Sequence, residues 1–223
     1  MSDMRVIDIS VMLSAETPVW PGDTAFSCLW TWSMTEGSSV NVSSMTASPH
    51  AGTHADTPLH VTHGAAGSES LGIEAFRGPA VVVDVSDIDD LIQFSDIEHR
   101  TAGAPATRLL FRTGRSVASG TFPSHWPSLS VACAYELVKR GIVLTGFDCP
   151  SADDIDSKVL HVHHELLDHG VAVLENLDLR NVSAGEYFLD ALPMKIAGLD
   201  AAPVRAILTA LPADSRTDRD SKP

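Results

Sequence analysis

Two stretches decide the fold: residues 134–148, AYELVKRGIVLTGFD, and residues 163–176, HHELLDHGVAVLEN. Each reads as a helix that stops at a glycine, Gly141 or Gly170, and hands over to a short apolar run. A helix feeding a strand that is apolar on both faces predicts α/β packing, with crossover helices between buried strands.

Outward from these, residues 5–13, 26–34, 80–85 and 108–113 are further β-rich segments, alongside 142–147 and 171–176. In 26–34, Phe26, Cys28, Trp30 and Trp32 share one parity, which points Trp30 and Trp32 at the core or at a dimer interface. Pro18, Pro21, Gly22 and Asp23 form a turn cluster after the first strand. Helices are predicted over 87–99 from an Asp87 cap, 130–140 from a Ser130 cap, 158–169, and 201–211 with Pro203 in its first turn. No linker divides residues 1–211, which read as one domain of mixed α/β class. Residues 212–223 are polar and aperiodic, and are expected to form a mobile tail without function.

Composition narrows the function. Of the 223 residues, 29 are acidic and 15 basic, a net charge of −14 with neutral histidines. Such a chain repels phosphate backbones and anionic lipid, which argues against nucleic-acid and membrane partners. The first ten residues show no basic start before an apolar block, so a secretory signal is not expected. The three cysteines, Cys28, Cys133 and Cys149, form neither a disulfide framework nor a C-x-x-C pair, as expected of a reducing cytoplasm. No G-x-S-x-G elbow offers a serine nucleophile, and Ser48 and Ser157 read as turn residues.

Histidine is the unusual component. Ten are present, four of them between His50 and His63 and four between His161 and His169. The segment 48–60 reads SPHAGTHADTPLH, with His50, His54, Asp56 and His60 on one parity. An extended or looped backbone turns such residues to one side, and Gly52 and Pro58 argue against a helix. Gly52 is expected to let the backbone pass close to whatever the cluster holds. Two imidazoles and a carboxylate make the three-ligand set of a catalytic zinc site; manganese and iron accept the same donors. His60 is a fourth ligand or a free acid/base beside the metal.

In the second cluster, His163 sits near a helix start and Glu175 near the end of the following strand. A carboxylate in so apolar a run must be paired or coordinate a metal. Either Glu175 meets an Arg or Lys while the histidines cap a helix, or His163 and Glu175 complete a second metal position bridged by Asp56. Glu165, Asp168 and His169 read as the solvated face of that helix.

HAGTHADTPLH (50–60) resembles the H-x-G-T-H-x-D-x-P-x-H signature of the cyclase-like metal-dependent hydrolases. The resemblance extends over about residues 5–211 through stretches 8–32, 146–158 and 172–208. PVWPGD (18–23) and the last of these stretches are most similar to the arylformamidase branch. It implies a swivelling β/β/α fold, mixed β-sheets with a few packed helices, usually a homodimer. It implies that His50, His54 and Asp56 hold one divalent ion and that Asp56, His163 and Glu175 hold a second, with Glu175 also reaching the first. Zinc is the expected metal and manganese the other candidate. The resemblance selects His163 over His161 and His164, because it lies 12 positions before Glu175 as in the family's pattern. His60 would be the proton donor and acceptor, and Trp20 would line the pocket and stack on an aromatic ring.

The implied reaction is hydrolysis of N-formyl-L-kynurenine to L-kynurenine and formate, with water activated by metal coordination, which lowers its pKa to about 7. Two other readings stand beside it. One is an isatin hydrolase or another cyclic-amide hydrolase with the same ligands. The other is a non-catalytic metal- or ligand-binding protein.

Overall fold

The computed structural model describes residues 5–101 and 106–211; the tail expected over 212–223 lies outside the described residues. In chain order the elements are β1 (Val6–Asp8), β2 (Ser27–Trp32), β3 (Val42–Thr46), β4 (His54–Asp56), α1 (Pro58–Val61), β5 (Arg77–Asp84), β6 (Leu91–Ile92), α2 (Phe94–Thr101), β7 (Arg108–Arg112), β8 (Ser128–Leu129), α3 (Val131–Lys139), β9 (Leu144–Phe147), α4 (His161–Leu167), β10 (Ala172–Glu175), β11 (Gly185–Asp190), β12 (Ala201–Pro203) and β13 (Ile207–Ala210).

Nine strands form one mixed sheet in the order β1-β13-β11-β5-β7-β9-β10-β4-β12. Its centre, β5-β7-β9-β10, is parallel, as the helix–Gly–strand units require. Antiparallel strands flank it, and β1 pairs with β13, so both ends of the described chain enter the same sheet. The fold is a mixed α/β domain with a curled sheet and a few helices.

The sheet is buried on both faces. Val81, Val83, Leu109, Phe111, Phe147 and Val173 meet Ile97 of α2, Leu137 of α3 and Leu166 of α4. On the other face Val82, Leu110, Leu144 and Leu174 meet Ile9, Phe76, Leu189 and Leu208. Side-chain alternation along β5 and β7 supplies both faces, and each such fully buried residue stabilises by about 1.5–3 kcal/mol. Gly146 of β9 lies where a Cβ would stand 2.6 Å from Leu110 Cδ2, so this crossing needs glycine.

Several expectations are corrected. Residues 201–211 are not a helix. Ala201–Pro203 pairs with β4 and Ile207–Ala210 with β11 and β1. The predicted helix 87–99 starts only at Phe94, because Leu91–Ile92 is taken by pairing with β8. Asp87 caps nothing and instead forms a two-pronged pair with Arg100, both contacts at 2.8 Å. Ser130 does cap α3, accepting from the Cys133 N–H at 3.1 Å. Trp30 and Trp32 are not in the core: β2 and β3 form a separate hairpin that is exposed along its whole length. Strands β3 and β11 were not anticipated. No helix among the described residues is long and apolar enough to cross a membrane.

Candidate metal centre and its cavity

The motif 48–60 folds residue by residue into one rim of the site. Strand parity operates only over β4, where His54 and Asp56 share a face. His50 arrives by a turn through Gly52, and His60 comes from α1, whose first residue is Pro58. Of the extended or looped backbone expected over 50–60, the structure has a turn, then the short strand β4, then the one-turn helix α1. Gly52 is required for its φ of +68° and because a Cβ there would lie 2.7 Å from Leu13 Cδ2, rather than for an approach to the site's contents. Thr53 clamps the turn, donating to the Asn176 carbonyl at 2.6 Å and accepting from the Val11 N–H at 2.8 Å. Thr57 donates its hydroxyl to the Asp200 carbonyl at 2.9 Å, tying β12 to the start of α1.

The antiparallel register of β4 and β10 sets His54 directly opposite Glu175. Glu175 is the last residue of β10, at the carboxyl end of the parallel strands, where α/β sheets place their ligands. It has no Arg or Lys partner among the described residues; its oxygens lie 3.1 Å from His163 Nε2 and 3.6 Å from His54 Nε2. Of the run His161–His164, His163 is the residue buried against Asp56 and Glu175. His161 is exposed, and His164 faces Asp168 at 3.3 Å.

Asp56 stands at the centre. It is fully buried, and neither oxygen accepts a hydrogen bond. Its Oδ1 lies 3.3 Å from both His50 Nδ1 and His54 Nε2, while Oδ2 lies 3.3 Å from His163 Nε2. His163 Nε2 likewise lacks a hydrogen-bond partner. Orphaned buried polar atoms at this cost need another partner. Donors about 2.1 Å from a tetrahedral ion lie about 3.4 Å from one another, and the gaps here cluster around that value. The donor set therefore fits a divalent metal site. His60 also brings a ring nitrogen into a common group with His50 and Asp56, all within 4.8 Å of one another.

The supporting contacts fix which ring nitrogens are free. His54 Nδ1 donates to the Gly52 carbonyl at 2.9 Å and leaves Nε2 for the cluster. His163 Nδ1 donates to Asp153 Oδ2 at 2.7 Å, leaving its Nε2 likewise. Asp153 also accepts from the N–H groups of Val162 and His163, each at 3.0 Å, and so caps α4. Asp200 Oδ2 reaches His50 Nε2 at 3.0 Å and His60 Nδ1 at 3.4 Å. Burial opposes charge on His50, but the hydrogen bond to Asp200 and the nearby Asp56 carboxylate win and raise its pKa to about 9. At His54 burial is outweighed by the field and contacts of Asp56 and then Glu175, and the pKa rises to about 10. The cluster is a place that demands positive charge, as protons or as metal.

Above the donors opens a cavity of about 640 Å³, reached by His50, His54, His60, His163 and Glu175 and walled by Trp20. Trp20 packs edge-on against Phe122 and Trp126, with ring centroids at 5.6 and 5.9 Å. Sequence reasoning does not find Asp153, Asp200 or Phe122, which stand outside both histidine clusters and carry no motif context.

A buried set of imidazoles and carboxylates at the strand ends, under an aromatic-walled cavity, defines the class: a divalent-metal-dependent hydrolase. Known proteins agree. Residues 7–154 match the family model described as "Putative cyclase". A curated kynurenine formamidase from Bordetella pertussis is 42% identical over 207 residues, covering 93% of this chain and 99% of that protein. A solved structure described as a potential metal-dependent hydrolase with cyclase activity superposes with a TM-score of 0.80 at 28% identity, over 94% of this chain and all of that one. An isatin hydrolase from Labrenzia aggregata shares the fold, with a TM-score of 0.79 at 22% identity over 93% of this chain and 94% of that one. The chain belongs to the cyclase family, and within it stands with the kynurenine formamidases.

Proposed function

We propose that this chain hydrolyses the formamide C–N bond of N-formyl-L-kynurenine, giving L-kynurenine and formate, a step of tryptophan degradation. The observation that carries the reading is the coincidence of near-full-length similarity to kynurenine formamidase with an intact buried donor cluster opening into an aromatic-walled cavity.

His50, His54 and Asp56 would hold one ion, and Asp56, His163 and Glu175 a second, both zinc; Glu175 Oε2 also reaches towards the first. Bound divalent ions supply an activated water and a polarised carbonyl. Asp56 serves both positions because its two oxygens face opposite sides. His60, half-buried beside His50 at a ring-centroid distance of 4.4 Å, takes the proton of the attacking water and returns it to the leaving aniline nitrogen. That transfer balances the cleavage, since the amide nitrogen leaves as an amine. Trp20 covers the aryl ring and excludes water from it.

The protein acts as a homodimer through the β2–β3 hairpin. Leu29, Trp30 and Trp32 of that hairpin are 72%, 65% and 57% exposed, and a lone two-stranded hairpin is only marginally stable in water. Its three unpaired cysteines suit a reducing cytoplasm.

The test is chelation followed by metal titration. Activity on N-formyl-L-kynurenine should vanish with the metal and return at two zinc per chain. Isatin, run in parallel, should be the poorer substrate; a preference for isatin would replace this reading with the cyclic-amide one.

A further inference from the structure

The cavity wall holds one fixed cation among its described residues, Lys158, and one carboxylate outside the donor cluster, Asp23. Both are exposed, and so stand at the rim, while His54, His163 and Glu175 of the same cavity are buried. Neither enters an ion pair among the described residues, although this chain of net charge −14 offers its lysines many carboxylates. A lone cation and a lone anion at one cavity mouth raise the local concentration of a ligand bearing both charges.

The backbone places both rigidly. Trp20-Pro21-Gly22-Asp23 is a tight turn closed by the Asp23 N–H on the Trp20 carbonyl at 2.9 Å, with Gly22 at φ +91°. Proline and glycine at the two central positions are the pairing such a turn selects. The Trp20 ring and the Asp23 carboxylate are thereby offered to the cavity at a fixed offset. Lys158 follows Ser157, whose N–H donates to the Asp154 carbonyl at 3.0 Å and whose hydroxyl accepts from the Leu160 N–H at 3.1 Å. The same segment leads into α4, which carries His163.

We infer that Asp23 and Lys158 form a subsite for a zwitterionic amino-acid head group, Asp23 receiving the ammonium and Lys158 the carboxylate, with the aryl ring on Trp20 between them and the donors. The inference rests on the formamidase reading and sharpens it. The amino-acid end of the substrate is what separates N-formyl-L-kynurenine from a neutral anilide, and only that end has use for paired opposite charges. Charge-assisted contacts of this kind change affinity by about tenfold each.

The experiment compares zinc-loaded wild type with Lys158→Gln, Lys158→Arg and Asp23→Asn. The ratio of kcat/KM on N-formyl-L-kynurenine to that on neutral formanilide should fall about tenfold in Lys158→Gln and Asp23→Asn, through KM. Lys158→Arg should keep most of the ratio. Separately, L-kynurenine binding, followed calorimetrically, should weaken by a similar factor in the first two variants. An unchanged ratio, or unchanged L-kynurenine affinity, overturns the subsite. Wild type that hydrolyses neither substrate defeats the formamidase reading instead. Binding then decides the subsite alone: variant-sensitive affinity upholds it, and insensitive affinity removes it.

Discussion

Asp153 lies 2.7 Å from Nδ1 of His163 and, with the same carboxylate, caps the helix that carries His163. One buried side chain thus sets both the position of a ring and which of its nitrogens is free. Removing this outer carboxylate should weaken metal affinity by about 10–100-fold. Asp153→Asn, which keeps a capping oxygen, should therefore lose one of two zinc ions on dialysis against a weak chelator. Two ions retained, by elemental analysis, would show that the contact does not tune the site.

His60 and Asp56 should separate along different readouts. His60→Ala keeps its metals and loses about 10²–10⁴-fold in kcat, the usual span for a general acid/base. Asp56→Ala removes the shared, fully buried carboxylate and should lose both metals together with turnover. A His60→Ala enzyme at full rate would end the proton-transfer assignment, and an Asp56→Ala enzyme with both metals would end the bridge.

The metal-free protein should respond to pH in one direction. His50 and His54 are held protonated to about 9 and about 10, against an unfolded value of about 6.5. A raised folded pKa stabilises fully below the unfolded value, and the contribution is lost as pH climbs through the folded one. The melting temperature of metal-free protein should fall between pH 7 and pH 10. Zinc-loaded protein should lack this decline, because bound ligands are already deprotonated. A flat metal-free profile over that range would contradict the electrostatics described for the cluster.

The exposed hairpin should carry self-association. Trp30, at 65% exposure, contributes little to the fold of one chain, so Trp30→Glu should leave the melting transition nearly intact. Light scattering should then find one copy where wild type gives two. A monomeric wild type would remove the dimer, and a dimeric variant would move its interface elsewhere.

How much was legible follows physical range. The parallel core was readable because Gly141 and Gly170, at φ +73° and +76°, stop helices locally and the following runs are apolar on both faces. AAPVRAILTA (201–210) misled because its alanines and early proline suit a helix start, while its strand state comes from partners far away, Asp56 and Tyr187 among them. The donors at 50–60 and 163–175 were visible as local clusters. Asp200 was not, because it meets His50 across 150 positions of sequence and has no spacing to announce it. Asp153 lies only ten residues before His163, yet an aspartate in a turn-rich stretch carries no mark of its partner.

The most direct test is the hydrolysis of N-formyl-L-kynurenine by protein loaded with two zinc ions per chain, followed as kynurenine absorbance with formate assayed in parallel. Rapid turnover should release kynurenine and formate in equal amounts, and chelation should abolish it. Fully loaded protein that leaves the substrate intact would contradict the formamidase reading.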